Sequence, residues 1–315
     1  MSQRLRYIPP SSVSAWGMVE VTCRTLQSRF LLKPSRAFRE LFFGVLGRAQ
    51  ELYPVKIHAL VCLSTHYHML VTPKDSEQLA RFMDFFQGNL ARKAGRLHDW
   101  HGKLWSRRYD MIPVSDEPEA QVARLRYVLE NGCKENLVSR PGDWPGPSSV
   151  RALLGGGPLG GVWHDQTGAW EAKQRGEAVR HRDYRSEESI VLEPLPCWQH
   201  LPAEEICARI RHMLGEIENE TAERHRRDGT RPLGRRAVLR VHPHDTAVSP
   251  KRRSRPIVHA ASREVREAFK QAYRQFAELF RWAAQQLQSG HERVAFPPGS
   301  FPPSLPYVPP EAAPA

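Results

Sequence analysis

Acidic residues are the scarce side of this sequence: 34 Asp and Glu stand against 46 Lys and Arg, giving a net charge of +12 and a pI near 9.8 over 315 residues. An excess of that size calls for a polyanionic partner, most often nucleic acid. Long apolar runs are also missing. None reaches the ~18–20 residues that a membrane span requires, so no membrane role is expected. The opening MSQRLRYIPPSSVSAWG has no apolar core of the kind a secretory signal needs. Cysteine is sparse and odd in number: Cys23, Cys62, Cys133, Cys197 and Cys207, with no CxxC spacing. That excludes a disulfide frame and a cysteine zinc site, and fits reduced thiols in a cytoplasmic protein. No internal repeat is present, which excludes a solenoid.

Present instead, over the first ~150 residues, is a clean alternation of strand-like and helix-like patterns. GMVEVTCRTLQ has period 2. PSRAFRELFFGVLGRAQELY opens on Pro34 and Ser35 and then spaces Phe38, Leu41, Phe42, Val45 and Leu46 as one helix face. VKIHALVCLS and HYHMLVTP are two strand-like runs almost back to back. SEQLARFMDFFQGNLARKAGRL is a second amphipathic helix, LWSRRYDMIPV a further strand candidate, and EPEAQVARLRYVLENGCKENLV a third helix with acids in its first turn. The order βαββαβα predicts an α+β fold: a ferredoxin-like, four-stranded, mainly antiparallel sheet with two helices on one face, plus one helix that must pack elsewhere. RPGDWPGPSSVRALLGGGPLGG, with seven glycines and four prolines, marks a domain edge. The expected division is a catalytic domain over 1–154 and an extension over 155–315, helical, with basic and proline-rich segments. In that extension PAEEICARIRHMLGEIENETAERH and ASREVREAFKQAYRQFAELFRWAAQQLQ are helices. Between them residues 224–255 hold eleven Arg and Lys against two Asp, too polar to pack alone.

Chemistry concentrates in LSTHYHMLV. On a strand, residues i and i+2 share a face, so His66 and His68 present two imidazoles side by side. The same spacing also suits a solvated or packed pair. A hard divalent ion would want a further oxygen donor. LRYVLENG supplies one: Asn131 lies four residues after Tyr127, on the same helix face. If that face covers the hairpin, Asn131 offers an amide oxygen and Tyr127 a hydroxyl to one ion and its substrate.

HYH, LWSRRYDMIPV, LRYVLENG and NLVSRPGDWPGPSS, in this order between residues 10 and 152, resemble the REP-associated tyrosine transposases, bacterial members of the single-tyrosine HUH transposase superfamily. The resemblance implies a ferredoxin-like sheet with an added helix bearing the nucleophile. It implies Tyr127 as that nucleophile, His66, His68 and Asn131 as ligands of Mg²⁺ or Mn²⁺, and transesterification of single-stranded or hairpin DNA through a 5′-phosphotyrosine. Nicking and rejoining would take place near palindromes, in the cytoplasm at the nucleoid. Three residues depart from the family pattern: Thr65 where Asn is usual, Gly132 in place of Pro, and the bulky Tyr67 between the histidines.

Further candidates could hold DNA. Trp105, Arg107 and Arg108 would pair a stacking surface with phosphate contacts. Arg92, Lys93 and Arg96 close the second helix, where they could equally complement its dipole. Arg4 and Arg6 resemble a basic arm that reads bases near a palindrome foot. His58 is expected to be packed, and the second H-x-H, His242 to His244, is interrupted by Pro243. A module that binds hairpin DNA or RNA without chemistry, decayed or domesticated, would share the charge. Only the enzyme needs Tyr127, both histidines and Asn131 together. Monomer and homodimer remain open alternatives.

Overall fold

The computed structural model describes residues 5–9, 17–247, 255–291 and 293–301. Alternation in the first strand, β1 (Val19–Arg24), divides it into two faces. Val19, Val21 and Cys23 point into an apolar core, while Glu20, Thr22 and Arg24 point the other way. α1 (Arg36–Leu52) starts where Ser35 accepts a hydrogen bond from the Phe38 amide at 3.0 Å. β2 (Lys56–Cys62) and β3 (His66–Thr72) form the expected hairpin. α2 (Ser76–Leu97) is capped by Asp75, whose carboxylate accepts from the Gln78 amide at 2.7 Å. β4 (Asp110–Pro113) and α3 (Pro118–Lys134) complete this half, with Pro118 in the first turn of its helix.

The four strands run in the order β2-β3-β1-β4, each neighbour antiparallel. This is the ferredoxin-like sheet predicted by the pattern. One face is closed by α1 and α2 through Phe38, Phe42, Phe43, Phe82 and Phe86. The added helix, α3, covers the opposite face: Leu125, Val128 and Leu129 pack there with Ala59, Val61 and Leu70. Both layers are apolar enough to hold the sheet between them, and the second also contains a polar pocket described below.

One expected strand is shorter than its pattern. LWSRRYDMIPV is extended only from Asp110; Trp105 makes an isolated bridge to Thr25, and residues 106–108 bend. Trp105 stays on the sheet through that bridge, its buried indole donating to the Gln87 carbonyl at 3.1 Å, and the chain leaves the ladder only after it.

The second half folds onto the first. α4 (Val150–Leu153) leads to β5 (Leu159–His164), α5 (Gln166–Gln174) and β6 (Arg185–Ile190), and β5 and β6 pair as an antiparallel hairpin against α1. Glycine permits that contact. A Cβ on Gly44 would strike the Val162 carbonyl, and one on Gly161 would strike the Gly44 nitrogen and the Glu40 carbonyl. α6 (Ala203–Asp228) lies on α3 and buries Ile210, Met213, Leu214 and Ile217. Arg126 of α3 meets Glu216 at 3.0 Å and Glu220 at 2.6 Å on α6. The basic stretch after α6 packs by borrowing partners: Arg224 donates to the Cys133 carbonyl at 2.7 Å, and α7 (Arg235–Arg240) buries Val238 in the α3 core. α8 (Arg263–Gln288) buries Phe276 and Phe280 against Tyr7 and Phe296. Arg4, most of the 250–256 basic cluster and the proline-rich end lie outside the described residues.

Candidate active site

The strand register fixes which side chains meet beneath α3. Thr22 pairs with His68 and Arg24 with His66, and Glu20 lies two residues before Thr22 on the same face. The two imidazoles stand 5.1 Å apart, centroid to centroid, at 82°. Tyr127 arrives from α3 with its ring 5.3 Å from that of His68. Asn131, one helical turn later, is 1% exposed, and its Oδ1 has no hydrogen-bond partner. The structure therefore brings both histidines and Tyr127 together, with Asn131 against Tyr127 on α3.

Each histidine is oriented through its Nδ1. His68 Nδ1 lies 2.6 Å from Glu20 Oε1, and His66 Nδ1 lies 2.9 Å from Thr65 Oγ1. The carboxylate makes His68 donate from Nδ1, and His66 can donate to the Thr65 hydroxyl in the same way; in that tautomer both Nε2 atoms keep the lone pair a metal ligand needs. Burial above all, with the nearby Arg24 cation adding to it, pushes the His66 pKa well below its usual value, so this ring is neutral. Thr65, the departure that precedes the first histidine, thus supplies an orienting oxygen, which in turn accepts from Arg24 at 3.4 Å.

Glu20 is the charge at the centre of the site. It is 2% exposed, and its second oxygen lies 2.6 Å from Arg124 Nη2 and 2.8 Å from His259 Nε2. Burial alone would raise its pKa; the contacts with His259, His68 and Arg124 outweigh that, so the carboxyl stays ionised well below the ordinary carboxylate range. Arg124 also stacks over Tyr127, its guanidinium carbon 3.9 Å from the ring centroid, and Lys134 Nζ lies 4.3 Å from the same centroid. Burial and the Glu20 charge push the Tyr127 phenol up, while Arg124 pulls it back. Tyr127 is therefore a neutral phenol at pH 7, with cations placed to stabilise it once deprotonated.

The donor set suits a divalent ion: two imidazole Nε2 atoms and a buried amide oxygen lacking any partner. Among the described residues no group of three His, Cys, Asp or Glu side chains could hold a metal, so a third protein donor would have to be of another type, such as this amide.

The candidate DNA contacts fare differently. Trp105 is buried and packs edge-on to Tyr67, which leaves it no face for a base. Arg107 and Arg108 are both exposed, in a bend rather than on alternating strand faces, and Arg107 pairs with Asp110 at 3.2 Å. Lys93 is buried, donates to the His164 carbonyl at 2.6 Å and lies over Trp163; burial brings its pKa down to about 8. Arg96 is exposed but bonds Gln166, so these two cations tie α2 to β5 and the start of α5. Arg92 is exposed and donates to Asn89 at 2.9 Å. Arg6 sits over the rings of Tyr109 and Phe301, at 4.6 and 4.3 Å. Glu20, Arg124, Lys134 and His259 were missed. Glu20 alone carried a signal, a single acid inside an apolar alternating strand.

Residues 24–131 match the family described as transposase, IS200-like. This segment of the chain is similar to IS200-like transposases. The likeness to tyrosine transposases seen in the motifs thus extends over the stretch that holds both histidines, Tyr127 and Asn131. The solved structures similar to the chain include a REP-associated tyrosine transposase bound to a REP hairpin, at 18% identity, covering 49% of this chain and 86% of that one with a TM-score of 0.39. Another is a protein of Deinococcus radiodurans R1 provisionally named as a transposase, at 19% identity, covering 34% and 85%, with a TM-score of 0.27. Comparison with curated proteins returns no match. No helix among the described residues is long and apolar enough to cross a membrane.

Proposed function

We propose that the protein is a single-stranded-DNA transposase that nicks and rejoins DNA near palindromic hairpins, with Tyr127 as the nucleophile. The observation that carries this reading is the buried, partnerless Asn131 Oδ1 one turn from Tyr127, whose ring packs on His68 of the histidine pair. His66, His68 and Asn131 would hold Mg²⁺ or Mn²⁺. When bound, the ion would polarise the scissile phosphate and offset its charge.

The remaining steps belong to side chains of the chain itself. Arg24, Arg124 and Lys134 attract the phosphodiester to the mouth of the site. Arg124 and Lys134 also favour the phenolate of Tyr127. Tyr127 Oη bonds to phosphorus as the bond to the 3′ oxygen breaks. The phenol proton passes to solvent, and the released 3′ oxygen takes one up. The product is a 5′-phosphotyrosine ester and a free 3′-OH. Attack by another 3′-OH reverses the step and joins new ends without ATP. Residues 1–154 are proposed as the unit bearing this chemistry, with Arg107 and Arg108 as exposed contacts for the DNA backbone.

The test uses purified protein, labelled single-stranded hairpins drawn from palindromes flanking the gene, and Mn²⁺ or a chelator. A denaturation-resistant protein–DNA adduct that needs Mn²⁺ and disappears in Tyr127→Phe is the expected result. Hairpin binding with no adduct at any metal concentration would replace the enzyme with a binding module.

A further inference from the structure

The carboxylate that orients His68 is itself held from far along the chain. Residues 255–262 run beside the free edge of β4: the His259 amide donates to the Pro113 carbonyl at 2.9 Å, the His259 carbonyl accepts from the Ser115 amide at 2.9 Å, and His259 bridges Val114 in parallel. The segment is pinned on both sides of that bridge. Before it, Arg255 pairs with Asp110 and Val258 is buried. After it, the Glu117 carboxylate accepts from the Ala261 and Ser262 amides, both at 2.9 Å, where Ser262 caps α8. So anchored, the strap carries the His259 side chain to the Glu20 carboxylate. His259 Nε2 stands 2.8 Å from Glu20 Oε2, an ion-pair distance without the alignment of a hydrogen bond, and its side chain is 14% exposed.

We propose that His259 is a positioning residue of the active site, fixing the Glu20 carboxylate and, through it, the imidazole of His68; this rests on the metal site assigned above. Glu20 has two oxygens and three partners. Oε1 serves His68 alone, while Oε2 is shared by Arg124 and His259. With one partner gone from Oε2, the carboxylate is free to swing about its side-chain torsions toward Arg124, and the hydrogen bond that sets the His68 tautomer lengthens. His259 lies well outside the segment that matches the transposase family. The extension therefore adds residues 255–262 as a supporting strap to the 1–154 unit that bears the chemistry. Outer partners of metal-bound histidines typically change metal affinity by about 10- to 100-fold when removed.

The experiment is a Mn²⁺ titration of the full-length protein followed by electron paramagnetic resonance, without DNA. His259→Ala is expected to weaken Mn²⁺ binding by roughly ten-fold. Its adduct formation should be slow at low Mn²⁺ and return to the wild-type rate at saturation, while hairpin binding in chelator is unchanged. His259→Gln, whose amide nitrogen reaches the position of Nε2, should restore most of the affinity. If His259→Ala does not fold, Glu117→Gln loosens the strap with His259 present and is expected to weaken Mn²⁺ binding in the same direction. Mn²⁺ affinity within two-fold of wild type in these variants overturns the proposal. So does a Gln variant as defective as Ala. His68→Ala, which removes a ligand, is the reference: if it too leaves Mn²⁺ binding intact, the metal site itself is wrong and both readings fall. Loss of the adduct in Tyr127→Phe is independent of all these outcomes.

Discussion

Two H-x-H pairs in this chain have nearly the same ring geometry. His66 and His68 stand 5.1 Å apart at 82°, and His242 and His244 stand 5.0 Å apart at 85°. What differs is everything around them. The first pair is buried on an inner strand of the sheet, with Thr65 and Glu20 on the two Nδ1 atoms, and the overlying helix carries a partnerless amide oxygen one turn from Tyr127. The second lies on a turn. There His244 Nε2 is engaged by the His98 carbonyl at 2.8 Å, and His242 Nδ1 accepts from the His244 amide at 3.3 Å. Two imidazoles at chelating distance do not make a site. The site is made by partners that take up the wrong nitrogens and leave the right ones, together with a buried donor that has nothing else to bind.

The comparison breaks most sharply by removing one ring from each pair. His66→Ala or His68→Ala is expected to lower Mn²⁺ affinity by more than about 100-fold and to eliminate the protein–DNA adduct, because a protein donor is lost outright. His242→Ala and His244→Ala are expected to leave both unchanged. Isothermal titration of Mn²⁺ across the four variants decides it: similar losses in both pairs would make ring spacing, rather than surroundings, the determinant.

A second test keeps the rings and changes only what orients them. Glu20→Gln preserves shape but removes the charge that Arg124, His68 and His259 share. Metal affinity should fall by about 10- to 100-fold. Stability should also fall, by about 3 kcal/mol, since Arg124 is left facing a neutral amide in a buried setting. Mn²⁺ titration alongside a urea midpoint separates the two effects. Unchanged metal affinity with lowered stability would make Glu20 structural only.

How much of this was legible beforehand follows from which contacts are local. The sheet, its helices and the cap at Ser35 were readable because periodicity and capping act over a few residues. His66 with His68, and Tyr127 with Asn131, were readable for the same reason, as i+2 on a strand and i+4 on a helix. Glu20, Arg124 and His259 come from β1, α3 and a distant strap, and no short-range pattern links them. Trp105 was misjudged because an aromatic next to two arginines has the same sequence whether it faces bases or the core. Lys93 was misjudged likewise: the hairpin that buries it lies about 70 residues on, and no local signal announces a partner so far away.

A third histidine sharpens the comparison at smaller cost. His58 is fully buried with both nitrogens engaged, Nε2 by Thr72 Oγ1 at 2.9 Å and Nδ1 by the Glu193 carbonyl at 3.1 Å, so it has no atom left for a metal. Burial brings its pKa down to about 4 from 6.5. Above pH 6.5 the ring is neutral in both the folded and unfolded chain and gives no pH dependence. As pH falls from 6.5 toward 4, the unfolded chain binds a proton that the folded chain refuses, so stability drops by up to about 3 kcal/mol from this group and levels off below pH 4. His58→Gln fills the same space without titrating. Its urea midpoint should therefore decline less steeply over that window than the wild type's, with Mn²⁺ affinity unchanged. Parallel declines would mean that the acid sensitivity of this fold lies elsewhere, and a change in Mn²⁺ affinity would mean that His58 is coupled to the site from which its hydrogen bonds separate it.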